Sequence, residues 1–222
     1  MKTILILLAL ASPAWAWDGP SMWYSSATGG ATGTLPGGGG IMGTGGQHDY
    51  GIKCTDCHVD RKDEPNLAFS MTFSPALAGT TYTPGQRYTI TAQLTGAQLG
   101  VPCDPQYMNN VDNFAASFED DTGAQAGVLT PDDGQSAPNC TLASPAPPGT
   151  TALDGDCKVI YANGTPSNDR WTFTWTAPAT AGTVHIFWGA VDGNCDMMSM
   201  GDAAKASLTR PARSCLISIS RI

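Results

Sequence analysis

From residue 67 onward, apolar side chains return at every second position in one segment after another. Leu67, Phe69, Met71 and Phe73 alternate with Ala68, Ser70 and Thr72. Tyr88, Ile90, Ala92 and Leu94 alternate with Thr89, Thr91 and Gln93, and Phe114, Ala116 and Phe118 keep the same period. Trp171, Phe173 and Trp175 are interleaved with threonines, Val184, Ile186 and Trp188 follow, and Ile217 and Ile219 close the chain. A period of two with one apolar face is the pattern of strands in a half-buried antiparallel sheet. Cys157 to Ala162 reads as a further strand, and only "GDAAKASLTR", residues 201–210, offers a short helix. Glycine, proline, asparagine and aspartate fill the gaps. About seven short strands in ~150 residues fit a two-sheet sandwich. Trp171, Phe173 and Trp175 should then face one core with Tyr88, Ile90 and Leu94.

The first residues argue for export. Lys2 is followed by an apolar run, Ile4 to Ala11, and by Ala14-Trp15-Ala16, a small-x-small cleavage pattern. This is the form of a secretory signal over residues 1–16. The run is too short to span a bilayer, and no later segment is long and apolar enough to do so. The expected location is therefore the periplasm, the extracellular space or the cell surface. The formal net charge of −8 argues against nucleic acid and anionic lipid as partners, and favours basic docking surfaces.

Residues 17–65 form a second region, ahead of the strand-rich 66–222. Glycine at the density of "ATGGATGTLPGGGG" cannot bury enough apolar surface to offset its ordering entropy. Such a segment orders only by wrapping something. Near its end stands Cys54-Thr55-Asp56-Cys57-His58. A c-type haem needs two thiols for its two vinyl groups and an imidazole for one face of the iron. Cys-x-x-Cys-His supplies all three, with His58 as the proximal ligand. Structural zinc needs four ligands, and no second CxxC or HxxxH occurs. A thioredoxin-like dithiol needs a βαβ setting, which the strand pattern denies. A disulfide between Cys54 and Cys57 would be strained. With no other CxxC, one covalent haem c is expected.

The other side of the iron has several candidates. Met197, Met198 and Met200 stand in the polar loop "NCDMMSMGD", where methionines lack a packing reason. His48 lies ten residues before His58 in the glycine-rich segment, with an exposed loop histidine as its plain alternative. Met108 and an open position are the remaining options. His185 falls on the polar side of its strand and reads as a surface residue. In an immunoglobulin-like sandwich the entry to the first strand shares an end with the loops carrying Met108 and Met197 to Met200. That placement favours the 197–200 cluster.

Seven cysteines in an exported chain invite disulfides. Outside the CxxCH stand Cys103, Cys140, Cys157, Cys195 and Cys215. Cys103 with Cys195, Cys195 with Cys215, and Cys140 with Cys157 are all open pairings. The acidic stretches Glu119-Asp120-Asp121 and Asp132-Asp133 carry no spaced calcium motif and read as solvated loops. Spacing supports no Ser-His-Asp arrangement and no carboxylate pair.

Four phrases occur in order: "YTPGQRYTITAQLTG", "NNVDNFAASFEDDTGAQAGVL", "WTFTWTAPATAGTVHIFWGAVDGN" and the following Gly201-Asp202. Over Cys54 to Gly201 the chain resembles the reeler (reelin N-terminal-like) domain, and especially its bacterial exported choice-of-anchor relatives, in which a CxxCH precedes the sandwich. "WTAP", Trp175 to Pro178, followed by "GTV", Gly182 to Val184, is the most specific part. The resemblance implies an all-β, immunoglobulin-like antiparallel β-sandwich with haem carried on an irregular Gly-rich N-terminal segment at Cys54, Cys57 and His58. It implies no activity. The chain departs from that group in having no C-terminal anchor after Ile222, in its extra cysteines and in the "CDMMSM" loop.

These readings converge on an exported monohaem cytochrome c in one-electron transfer with a redox protein or an extracellular acceptor. It would be an electron carrier rather than an enzyme. A surface adhesion or assembly module with structural haem, forming a homo-oligomer or filament, is one alternative. A haem-based sensor or peroxidase with an open sixth position is the other.

Overall fold

The structure is a computed structural model, and it describes residues 42–58, 61–62, 64–96, 112–132, 151–153, 157–162, 169–193 and 202–207. Among these, one helical turn, α1 (Cys54–Cys57), precedes ten strands: β1 (Arg61–Lys62), β2 (Ala68–Ser74), β3 (Arg87–Thr95), β4 (Asp112–Glu119), β5 (Val128–Pro131), β6 (Thr151–Leu153), β7 (Val159–Ala162), β8 (Arg170–Thr176), β9 (His185–Asp192) and β10 (Ala203–Ala206). One sheet runs β1-β10-β9-β4-β7-β6 and the other β2-β3-β8-β5. Neighbours are antiparallel except β1 and β10, which are parallel.

The inner faces of the two sheets meet in one core, so the chain is an all-β sandwich. In β3 and β8, every second residue is buried and the threonines between them face out. Tyr88 pairs with Trp175, Ile90 with Phe173 and Ala92 with Trp171 across the strands. All six are buried, with Leu94, in the same cluster. The core expected from the alternation is therefore the observed one. From the other sheet, Phe114 and Phe118 meet it, Phe114 stacking on Phe173 at 6.0 Å between centroids. Phe69 of the edge strand β2 closes the near end against Trp188 at 4.8 Å.

One element differs from its sequence reading. "AAKA" in residues 203–206 is strand β10, not part of a helix. Alanine favours helix, but tertiary pairing overrides that weak preference. Here the pairing is with β9, Ala203 to Asp192 through Ala206 to Gly189. The strand expected at Ile217 and Ile219 lies outside the described residues, as does the signal sequence. No helix among the described residues is long and apolar enough to cross a membrane.

Candidate functional site

Residues 42–58 lie across the outer face of the six-stranded sheet. Close approach is possible because glycine meets glycine there. A Cβ on Gly189 would collide with the carbonyl of Gly43 and with Cys54. A Cβ on Gly46 would collide with Glu119 and Ser117 of β4. Met42 packs on Ala115, Val159 and Tyr161 of the same face. Segment and sheet thus pack backbone to backbone, where any larger side chain would hold them apart.

Two carboxylates organise the segment. Asp49 is fully buried and accepts from the Thr44 hydroxyl and amide, each at 2.6 Å, and from the Met42 amide at 3.1 Å. Burial alone would push its carboxyl up. The hydrogen bonds from His48, Thr44 and Met42 outweigh that and hold it below the usual range. Glu119, 2% exposed, accepts from the amides of Gln47 at 2.8 Å and His48 at 3.4 Å. Glu119 is therefore a buried anchor of the loop and not the solvated acid its sequence neighbours suggest. Asp120 is half-buried and ties its own turn, accepting from Thr122 and Ala124.

The helical turn α1 then brings Cys54 against β9 and β10 and His58 to the residue that precedes β10. Asp56 closes its start by accepting from the Lys53 amide at 2.9 Å, and the His58 amide donates to the Cys54 carbonyl at 2.8 Å. This i to i+4 bond sets residues 54 and 58 on one side of the turn. The His58 ring meets Asp202, at the start of β10, with Nδ1 and Oδ2 2.7 Å apart. A carboxylate only accepts, so Nδ1 carries a proton, and in the neutral ring the lone pair is then on Nε2. Asp202 is 4% exposed, which fixes the ring against a buried partner. The Cys54 Sγ lies within reach of two backbone carbonyls, Lys205 at 3.2 Å and Ala190 at 3.6 Å, and its single S–H can donate to either. Burial pushes this thiol up to about 12, so in the docked segment it is a protonated thiol and a poor nucleophile.

The donor set fits haem c. Cys54 and Cys57 bracket one helical turn, and His58 offers Nε2 with Nδ1 already engaged. The Cys57 side chain lies outside the described residues. So do Met108, Met197, Met198 and Met200. His48 is not the exposed loop residue of its plain reading. Its side chain is only 10% exposed and its Nδ1 lies 3.0 Å from Asp49 Oδ1. His48 and His58 are thus held by different carboxylates. His185, on the outer face of β9, is half-buried rather than a freely exposed surface residue, and pairs through Nε2 with Asp121 at 2.7 Å. Cys54 is a free thiol, and Cys157 is disulfide-bonded. Cys103, Cys140, Cys195 and Cys215 fall outside the described residues. Among the described residues, no three His, Cys, Asp or Glu side chains converge as a metal cage.

Sequence reasoning missed Asp202 and a second acidic feature, the cross-strand pair Asp112 and Asp192. Asp202 sits 144 positions from its partner, and no local spacing announces it.

The chain is similar to a solved structure of the human F-spondin reeler domain (fragment 1), with 16% identity and a TM-score of 0.38, covering 66% of this chain and 82% of that one. A second structure of the human domain (fragment 2) gives 15% and 0.37, covering 67% and 93%. The Reelin-N domain of F-spondin gives 12% and 0.36, covering 66% and 79%. No family model matches the chain, and no curated protein matches it.

Proposed function

We propose that this chain is an exported, reeler-like monohaem c-type cytochrome that passes single electrons to a redox protein or an extracellular acceptor. The observation that carries the reading is the His58–Asp202 contact on a one-turn Cys54–Cys57 helix. Haem, when bound, supplies the one-electron chemistry through its iron. Cys54 and Cys57 would hold it by adding their S–H groups across the two vinyl groups, a step that needs no oxidant. His58 would bind the iron through Nε2. Because the docked Cys54 thiol faces backbone carbonyls and resists ionisation, attachment would precede the closing of residues 42–58 onto the sheet. The net charge of −8 suits a basic docking partner.

The second iron ligand is proposed to come from Met197, Met198 or Met200. Their loop leaves the sheet at the end of β9, Asp192, and returns at Asp202, the residue that holds His58. Thioether sulfur suits haem iron and raises the potential relative to two histidines.

Protein from a host with c-type maturation should show a haem c spectrum that switches reversibly between two oxidation states. The ferric form should carry the weak long-wavelength band of methionine-bound iron. Replacing all three methionines should abolish that band, and His48→Ala should leave it. A spectrum that responds only to His48→Ala would assign the ligand to His48. A high-spin spectrum that binds carbon monoxide at once would favour the sensor or peroxidase instead. A colourless protein would remove the reading altogether.

A further inference from the structure

Asp202 deserves a role of its own in this centre, one that rests on the haem reading above. Its carboxylate reaches His58 across 144 positions of sequence, and the contact is short, at 2.7 Å. The histidine side chain is 14% exposed and the carboxylate side chain 6%, so bulk water scarcely competes for the bond. The backbone supports the geometry from both sides. Asp202 directly precedes Ala203, which is paired with both Arg61 of β1 and Asp192 of β9. On the other side, the His58 amide donates to the Cys54 carbonyl and so closes the helical turn beside the ring.

We propose that Asp202 is the positioning residue of the iron site, fixing the His58 tautomer and holding the iron at a lower reduction potential than a neutral acceptor would. The physical reason is charge. A buried carboxylate accepting from Nδ1–H draws the proton toward itself and leaves Nε2 richer in electrons. An electron-rich imidazole stabilises the ferric state over the ferrous. A backbone carbonyl at the same place would orient the ring without that electronic push.

The test compares the haem-loaded parent with Asp202→Asn and Asp202→Glu by redox titration and by haem content. Asn keeps the size and can still accept from Nδ1–H, but it carries no charge. In Asp202→Asn the thioether-held haem should stay attached, while the reduction equilibrium moves toward ferrous by about tenfold, about 59 mV upward for a one-electron couple. Asp202→Glu should recover most of the parent value. A loaded Asp202→Asn protein with the parent potential would overturn the proposal and leave the haem reading standing. A parent without haem would overturn both. If Asp202→Asn fails to fold, the parent alone decides through the NMR signal of the His58 Nδ1 proton. That proton should be strongly downfield and slow to exchange with deuterium. Rapid exchange would show the carboxylate contact absent in the loaded protein and would overturn the proposal.

Discussion

Trp175→Ala should destabilise the protein by about 3–5 kcal/mol, read as a lower midpoint in equilibrium denaturation. Trp175 is 0% exposed and sits where the two sheets meet. Its ring stacks on Tyr88 at 5.6 Å and lies 5.2 Å from Phe118 of the opposite sheet. Tyr82 and Phe73 approach edge-on at 5.6 Å and 6.5 Å. Alanine would leave a cavity among rigid rings that cannot collapse to fill it. It would also orphan the Ala126 carbonyl, which accepts from the indole Nε1 at 2.8 Å. A loss of this size is a large fraction of the 5–15 kcal/mol typical of a domain. An unchanged midpoint would mean that this ring is not at the centre of the core.

The second large effect is electrostatic. Asp112 opens β4 directly across from Asp192 and is 1% exposed. Burial, followed by the hydrogen bond and the charge of the neighbouring Asp192 and then by the charge of Asp169, pushes its carboxyl up to about 8. The folded state therefore keeps a proton that the unfolded chain releases near the ordinary carboxylate value. Between about pH 4 and pH 8 the native state binds more protons, so stability must fall as pH rises through that window. The loss should be on the order of 3–5 kcal/mol by pH 8. Asp112→Asn has no charge to bury. Denaturation at pH 5 and pH 8 should show a steep decline in the parent and a much flatter one in Asp112→Asn, with the variant the more stable at pH 8. Equal slopes would place the burden of the pH dependence elsewhere.

Much of the sandwich was readable because its central strands show one face to the core and one to water. In β8 the tryptophans and phenylalanine alternate with threonines, and nothing blurs the period. β10 was misread because both of its sides are covered, so its pattern, "AAKA", is short and alanine-rich with no alternation. Small residues there serve close packing, and composition alone turns that into a helix signal. The order of residues 42–58 was equally hidden. It depends on Glu119 reaching back 72 positions to the Gln47 amide, and on glycines whose use is visible only once the sheet is beneath them.

The candidate site divides along the same line. Cys54, Cys57 and His58 stood out in the sequence because CxxCH is a contiguous pattern. Asp202 was not, since a hydrogen bond to a ring nitrogen constrains position in space and not in sequence. The Asp112–Asp192 pair follows from strand register, which becomes definite only when β4 and β9 are aligned.

The account stands most directly on covalent haem, and an intact mass decides it. Protein secreted by a host with c-type maturation should be extracted with acid–acetone, which removes haem that is merely bound, and then weighed. The predicted result is the processed chain plus one haem, with the added mass lost when Cys54 and Cys57 are both replaced by alanine. An unmodified chain from that same host, under conditions where a known c-type cytochrome is matured, would contradict the account.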